Sequence, residues 1–177
     1  MSIADEGRIL YARRADAWVL RFEGAIRYTG AHALDTFLDS LFARQDPASI
    51  CVDLSAATSI DSTGIGMLAK VANGLSQSGK GKPVLVSTNP EITELLVNLC
   101  LDEVCLIVTE GVQAAAAETI PSTTPSEREV ARTVLEAHRL LSGLSDQNRE
   151  TFVSVVDALE DDLGESTPES PPSRRNT

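Results

Sequence analysis

The chain has 177 residues, 42% of them hydrophobic, and a net charge of −11. That length supports one well-buried domain of about 100–150 residues plus an appendage, and little more. The charge divides into 9 basic and 14 acidic residues before position 116 and 6 and 12 after it, so no part offers the clustered Lys and Arg that a nucleic-acid partner requires. No run approaches the ~18–20 unbroken apolar residues of a membrane span, and Met1 to Glu6 lacks the basic start and apolar run of a signal peptide, which points to the cytoplasm.

In chain order, Ile9 to Ala12 and Ala17 to Glu23 predict a strand hairpin, with Trp18, Leu20 and Phe22 alternating against Val19 and Arg21. From Gly30 to Arg44 the apolar residues Ala33, Leu34, Phe37, Leu38, Leu41 and Phe42 recur at steps of three and four, one face of a helix that Asp46-Pro47 ends. Ser49 to Leu54 is a short apolar run of the kind buried on both faces of a sheet, followed by a small-residue loop, Ser55 to Ser59.

A second helix is predicted from Ser62 to Ser78, carrying Ile65, Leu68, Val71, Ala72 and Leu75 at helical spacing. Val84 to Ser87 is the next strand. Asn89-Pro90-Glu91 is a helix start, with Asn as N-cap, Pro at the first position and an acid in the first turn. Val104 to Thr109 reads as a last strand, giving the order ββαβαβαβ and an α/β layered sheet. The predicted division is a domain over residues 1–113, a linker over 114–125 with prolines at Pro121 and Pro125, a helical hairpin over 126–163 and a disordered tail over 164–177. Ser126-Glu-Arg-Glu129 forms a capping box at the start of the hairpin. Its stripes, Val130, Val134, Leu135, Leu141 and Leu144, then Phe152, Val155, Val156, Leu159 and Leu163, must pack against the core, a second subunit or a partner, and sequence does not choose.

The informative segment is Ile60-Asp61-Ser62-Thr63-Gly64-Ile65-Gly66, at a turn from buried strand to helix. Asp61 or Ser62 in that place caps the helix; a serine there also lies where free amides and the helix dipole accommodate a phosphate. Capping and phosphoacceptance are compatible at one position. No catalytic constellation accompanies it: there is one Asp-Ser-Thr-Gly run, no Gly-x-Ser-x-Gly elbow, and no histidine placed so as to suggest pairing with Ser62. Cys51, Cys100 and Cys105 are odd in number, and His32 and His138 fall outside zinc-ligand spacing, so neither disulfide framework, metal nor cofactor is expected.

With its surroundings, Val52-Asp53-Leu54 and then Asp-Ser-Thr-Gly-Ile-Gly over 61–66, the segment resembles the STAS family of anti-sigma-factor antagonists over residues 8 to about 112. The resemblance implies a STAS-like layered fold with a central mixed β-sheet, here followed by an α-helical hairpin extension. It implies a non-enzymatic binding module in a bacterial partner-switching pathway regulating transcription, with Ser62 the acceptor for a partner serine kinase and a serine phosphatase resetting it. Asp61, Ser62, Thr63, Gly64 and Ile65 are then partner-binding residues, facing an anti-sigma factor or serine kinase. One departure stands out. Many members carry acids after the second strand, where this chain reads Glu23-Gly24-Ala25-Ile26-Arg27-Tyr28, making Arg27 and Tyr28 candidate partner contacts of altered character. The alternatives are an accessory STAS subunit of a transport ATPase, and a structural scaffold that homodimerises through its C-terminal helices.

Overall fold

The computed structural model describes residues 7–110 and 117–165. The chain opens with β1 (Arg8–Arg14) and β2 (Ala17–Ile26), an antiparallel hairpin pairing Arg14 with Ala17. Its tight turn sets Ala15 at φ 56, in the left-handed region. Helix α1 (Tyr28–Arg44) follows, then β3 (Ser49–Ile60), α2 (Ser62–Gln77), β4 (Val84–Val86), α3 (Pro90–Asn98), α4 (Leu101–Val104), β5 (Leu106–Val108) and β6 (Glu118–Thr119). The six strands form one mixed sheet in the order β5-β4-β3-β2-β1-β6, with β2 to β5 parallel and β1 antiparallel to both its neighbours.

Alternation on the strands decides which face carries the core. Trp18, Leu20 and Phe22 of β2 and Ile50, Val52 and Leu54 of β3 are buried beneath Leu34, Leu38 and Leu41 of α1 and Leu68, Val71 and Leu75 of α2. Tyr11 and Trp18 close the near end against Phe37, with ring centroids 4.8 and 6.0 Å from it.

Three elements differ from the sequence reading. The segment Ser55 to Ser59, expected as a loop, continues β3, because β2 also runs long and pairs Glu23 with Ala56 through to Ile26 with Ile60 across two irregularities in register. Cys100 turns left-handed at φ 61 and starts the short α4, whose Leu101 is buried, so the last strand begins only at Leu106. Glu118–Thr119, within the expected linker, adds to the free edge of β1, and Ile120 behind it is buried. The expected disordered tail falls, from residue 166 on, outside the described residues.

The C-terminal hairpin consists of α5 (Glu127–Ser142) and α6 (Asp146–Leu163). The capping box is present: the Ser126 hydroxyl accepts from the Glu129 amide at 3.3 Å, and Glu129 accepts from the Ser126 amide at 2.8 Å. The packing that sequence left open is in cis. Leu135, Ala137, Leu141 and Phe152 are buried, and all but Leu135 belong to the same core as α2. Asn148 fixes the hairpin's bend, donating from Nδ2 to the carbonyls of Leu99 and Leu141 at 2.9 and 3.0 Å. Val155, expected on the buried stripe, is exposed instead.

Candidate functional site

The site is assembled where β2 and β3 end and α1 and α2 begin. Asp61 is the N-cap of α2: Oδ1 accepts from the Gly64 amide at 2.8 Å, while Oδ2 accepts from the Tyr28 amide at 2.7 Å. One carboxylate therefore satisfies free amides of two helices and ties their starts together. Its own amide donates to the Ile26 carbonyl at 3.1 Å. Gly64 allows this corner to close, since a Cβ there would stand 2.8 Å from Ile60 Cγ1.

Ser62, the first residue of α2, is half-buried. Its Oγ lies 2.9 Å from Nε2 of His138, on α5. His138 Nδ1 is 2.7 Å from the Val134 carbonyl, which can only accept, so in the neutral ring Nδ1 carries the proton and Nε2 accepts from the Ser62 hydroxyl. This corrects the sequence reading, in which no histidine stood to pair with Ser62. The contact spans 76 residues, and nothing local announces it.

A hydroxyl donating to a bare imidazole nitrogen is the first half of an activated nucleophile, whose other half is a group that orients the base and polarises it. Here the orienting partner is a carbonyl of the same helix, one turn back, which holds the ring but adds no charge. Phe152 packs edge-on against the imidazole at 5.3 Å. A groove of about 500 Å³ between α2 and α5 is lined by Ala72, Asn73, Lys82 and Leu140 among others, and neither Ser62 nor His138 lines it. The pair joins the first turn of α2 to α5.

The other expected contact residues divide by exposure. Arg27, the N-cap of α1, and Tyr28, at 51% exposure, lie on the surface beside Asp61. Thr63, Gly64 and Ile65 are buried, and the Ile65 side chain is part of the core.

Next along α2, Gly66 is covered by α5, a Cβ there standing 2.6 Å from both Ala137 Cβ and the Ala137 carbonyl. One turn further, Lys70 is buried and bonded to Asp35, with Asp39 at 2.7 Å and Glu136 of α5 at 3.2 Å. Burial alone lowers the Lys70 pKa; hydrogen bonds to Asp35 and Asp39, with the charges of Asp35 and Glu136, outweigh it and raise the pKa above the ordinary lysine value. The Thr133 hydroxyl donates to Asp35 at 3.1 Å. Its single proton thus used, the hydroxyl accepts from His32 Nδ1 at 3.1 Å. Helices α1, α2 and α5 are joined by one polar network, with Lys70, Asp35 and Thr133 buried at its centre and Asp39 and Glu136 at its exposed rim; sequence analysis missed it, although a threonine on the inner face of α5 was a signal.

The family model for the STAS domain matches residues 8–115. The chain belongs to the STAS family. Among solved structures of similar architecture, the anti-sigma factor antagonist SpoIIAA in its unphosphorylated form is 13% identical, over 58% of this chain and 87% of that one, at a TM-score of 0.49. An anti-sigma factor antagonist from Mycobacterium paratuberculosis is 22% identical, over 62% and 92%, at 0.49. A putative anti-sigma factor antagonist from Thermotoga maritima is 28% identical, over 55% and 82%, at 0.43. Curated proteins give no match. The matched residues hold β1 to β5 with α1 to α4, and β6, α5 and α6 lie beyond them. No helix among the described residues is long and apolar enough to cross a membrane.

Proposed function

We propose that this STAS protein is a phosphorylation-regulated binding module of the anti-sigma-factor-antagonist kind, with Ser62 as phosphoacceptor. It binds an anti-sigma factor or serine kinase when unmodified and releases it when phosphorylated, and a serine phosphatase restores binding. The observation that carries the reading is a serine at the first position of α2, directly after an N-cap aspartate whose carboxylate organises the corner between two helix starts. In the reaction the γ-phosphoryl of a nucleoside triphosphate bound by the kinase passes to Ser62 Oγ. The bond to the leaving diphosphate breaks as the O–P bond forms, and the hydroxyl proton leaves to the kinase's base. The product adds about −1.5 to −2 charges beside Asp61, on a protein already at −11. Asp61, next to the serine, and Arg27 and Tyr28, tied to Asp61 through the Tyr28 amide, supply the more exposed part of the partner surface.

The test compares tagged Ser62→Ala and Ser62→Asp proteins expressed in the native cell. A kinase-like or anti-sigma protein is expected on Ser62→Ala, falling at least about a hundredfold on Ser62→Asp, the effect of a few kcal/mol of repulsion and desolvation. Identical captures on both would sink the phosphorylation reading in favour of an accessory subunit of a transport ATPase or a scaffold.

A further inference from the structure

We propose that the α5–α6 hairpin is an intramolecular ligand of α2, a cap that shields Ser62, and that kinase and partner reach the serine only when the cap lifts. The inference deepens the reading above and rests on it for the identity of the competitors. Three contacts carry it. The Ser62 hydroxyl, on which any phosphoryl group must be placed, is held against His138 at 2.9 Å, so that α5 closes one side of it. Gly66, on the next turn, is in backbone contact with α5 at Ala137. Lys70, one turn beyond, takes Glu136 of α5 as a third carboxylate. Successive turns of α2 from its N-terminus are thus covered by one helix that lies outside the matched family domain. A partner docking on this face must displace α5 and present equivalent chemistry: a helix with a small residue over Gly66 and an acid within reach of Lys70.

The hairpin is one unit, and lifting it uncovers the core face that Ala137, Leu141 and Phe152 fill. It joins β6 through residues 120–126, which contain Pro121 and Pro125, and α5 and α6 pack on each other through Phe152 and through the Arg139 to Glu160 ion pair at 2.7 Å.

The experiment measures accessibility at position 62 in the full chain. In a Ser62→Cys protein, thiol alkylation is followed peptide by peptide, so that Cys51, Cys100 and Cys105 are counted apart. Labelling of the introduced thiol is expected to be slow, and to rise by about tenfold or more, as local opening does, when Gly66→Ala or Ala137→Glu is added to wedge α5 away. Gly66→Ala favours helix α2 itself, so a rise reports the lost contact and not a weakened helix. Equal rates with and without the wedge, or fast labelling in the unwedged protein, would overturn the cap. Should both wedges disrupt the sheet, hydrogen exchange on the unaltered chain decides. Amides of α5 and α6 opening together, ahead of β2 and β3, support the cap, and exchange of all four only by global unfolding overturns it. In the native cell the Ser62 phosphopeptide of otherwise unaltered chains should rise with Ala137→Glu. Labelling that responds while Ser62 is never phosphorylated keeps the cap and removes the phosphoacceptor reading.

Discussion

Lys70 shows at the scale of one residue what the buried network contributes. Removing one member of a buried ion group leaves its partners charged and desolvated, at a cost of about 3–5 kcal/mol, whereas replacing both sides by apolar groups of similar volume is near neutral. Lys70→Met should therefore lower the stability of the chain by about 3 kcal/mol, and Lys70→Met with Asp35→Leu should recover most of it, as read by urea unfolding. Because the folded pKa of Lys70 lies above its ordinary 10.5, its contribution is complete below that pH and is lost as pH rises through the higher folded value. The stability difference between the native chain and Lys70→Met should stay flat from neutral pH to about 10 and narrow only in stronger alkali. Burial likewise pushes the Cys105 thiol up to about 12, so this side chain should resist alkylation near pH 8 as long as the core is intact. Among single residues, the place of Ser62 at the start of α2 was legible because cap, periodicity and glycine spacing are local signals. His138 was not, because its role depends on α5 folding back over a distant helix. Gly66 signalled only that something approaches α2 closely, since a glycine otherwise weakens a helix.

Among the elements, α5 started where its capping box said it would. Ser126→Ala removes one half of that box, and a loss of about 1 kcal/mol is expected. The loss should fall on the hairpin, visible as faster amide exchange in α5 with β2 and β3 unchanged. Helix α4, four residues long, carries no period, whereas the five longer helices were readable because the 3.6-residue period survives burial on one side. Strand ends were less so. Ser55 to Ser59 lacks the bulk that marks a strand in isolation, and it extends β3 only because Gly24, at φ 73, lets β2 continue past an irregularity alongside it. Glu118–Thr119 is too short to carry a pattern, and pairs because β1 offers an open edge, where Tyr11 donates to Glu118 at 2.7 Å.

For the whole molecule, two acidic parts pack on one another: 9 basic and 12 acidic residues lie within 7–110, and 4 and 9 within 126–163. Their mutual repulsion is screened by salt. Alkylation at position 62 in the Ser62→Cys protein should accordingly be fastest at low ionic strength and slow as salt is added. A rate independent of salt would mean that local pairs such as Lys70 with Glu136 set the closure alone.

The short stretch from Ile120 to Ser126 governs more than connectivity. A tether of that length holds its cargo at an effective concentration on the order of millimolar. A hairpin whose intrinsic dissociation constant for α2 is only ~0.1 mM would still sit closed in about ten of every eleven molecules. A partner present at ~1 μM must bind the same face about a thousandfold more tightly than the hairpin does to occupy it half the time. The tether is thus a threshold, discriminating by affinity and abundance. Cutting the chain within 120–126, at an inserted protease site, should abolish that threshold, so that closure, constant on dilution in the intact protein, becomes dependent on protein concentration.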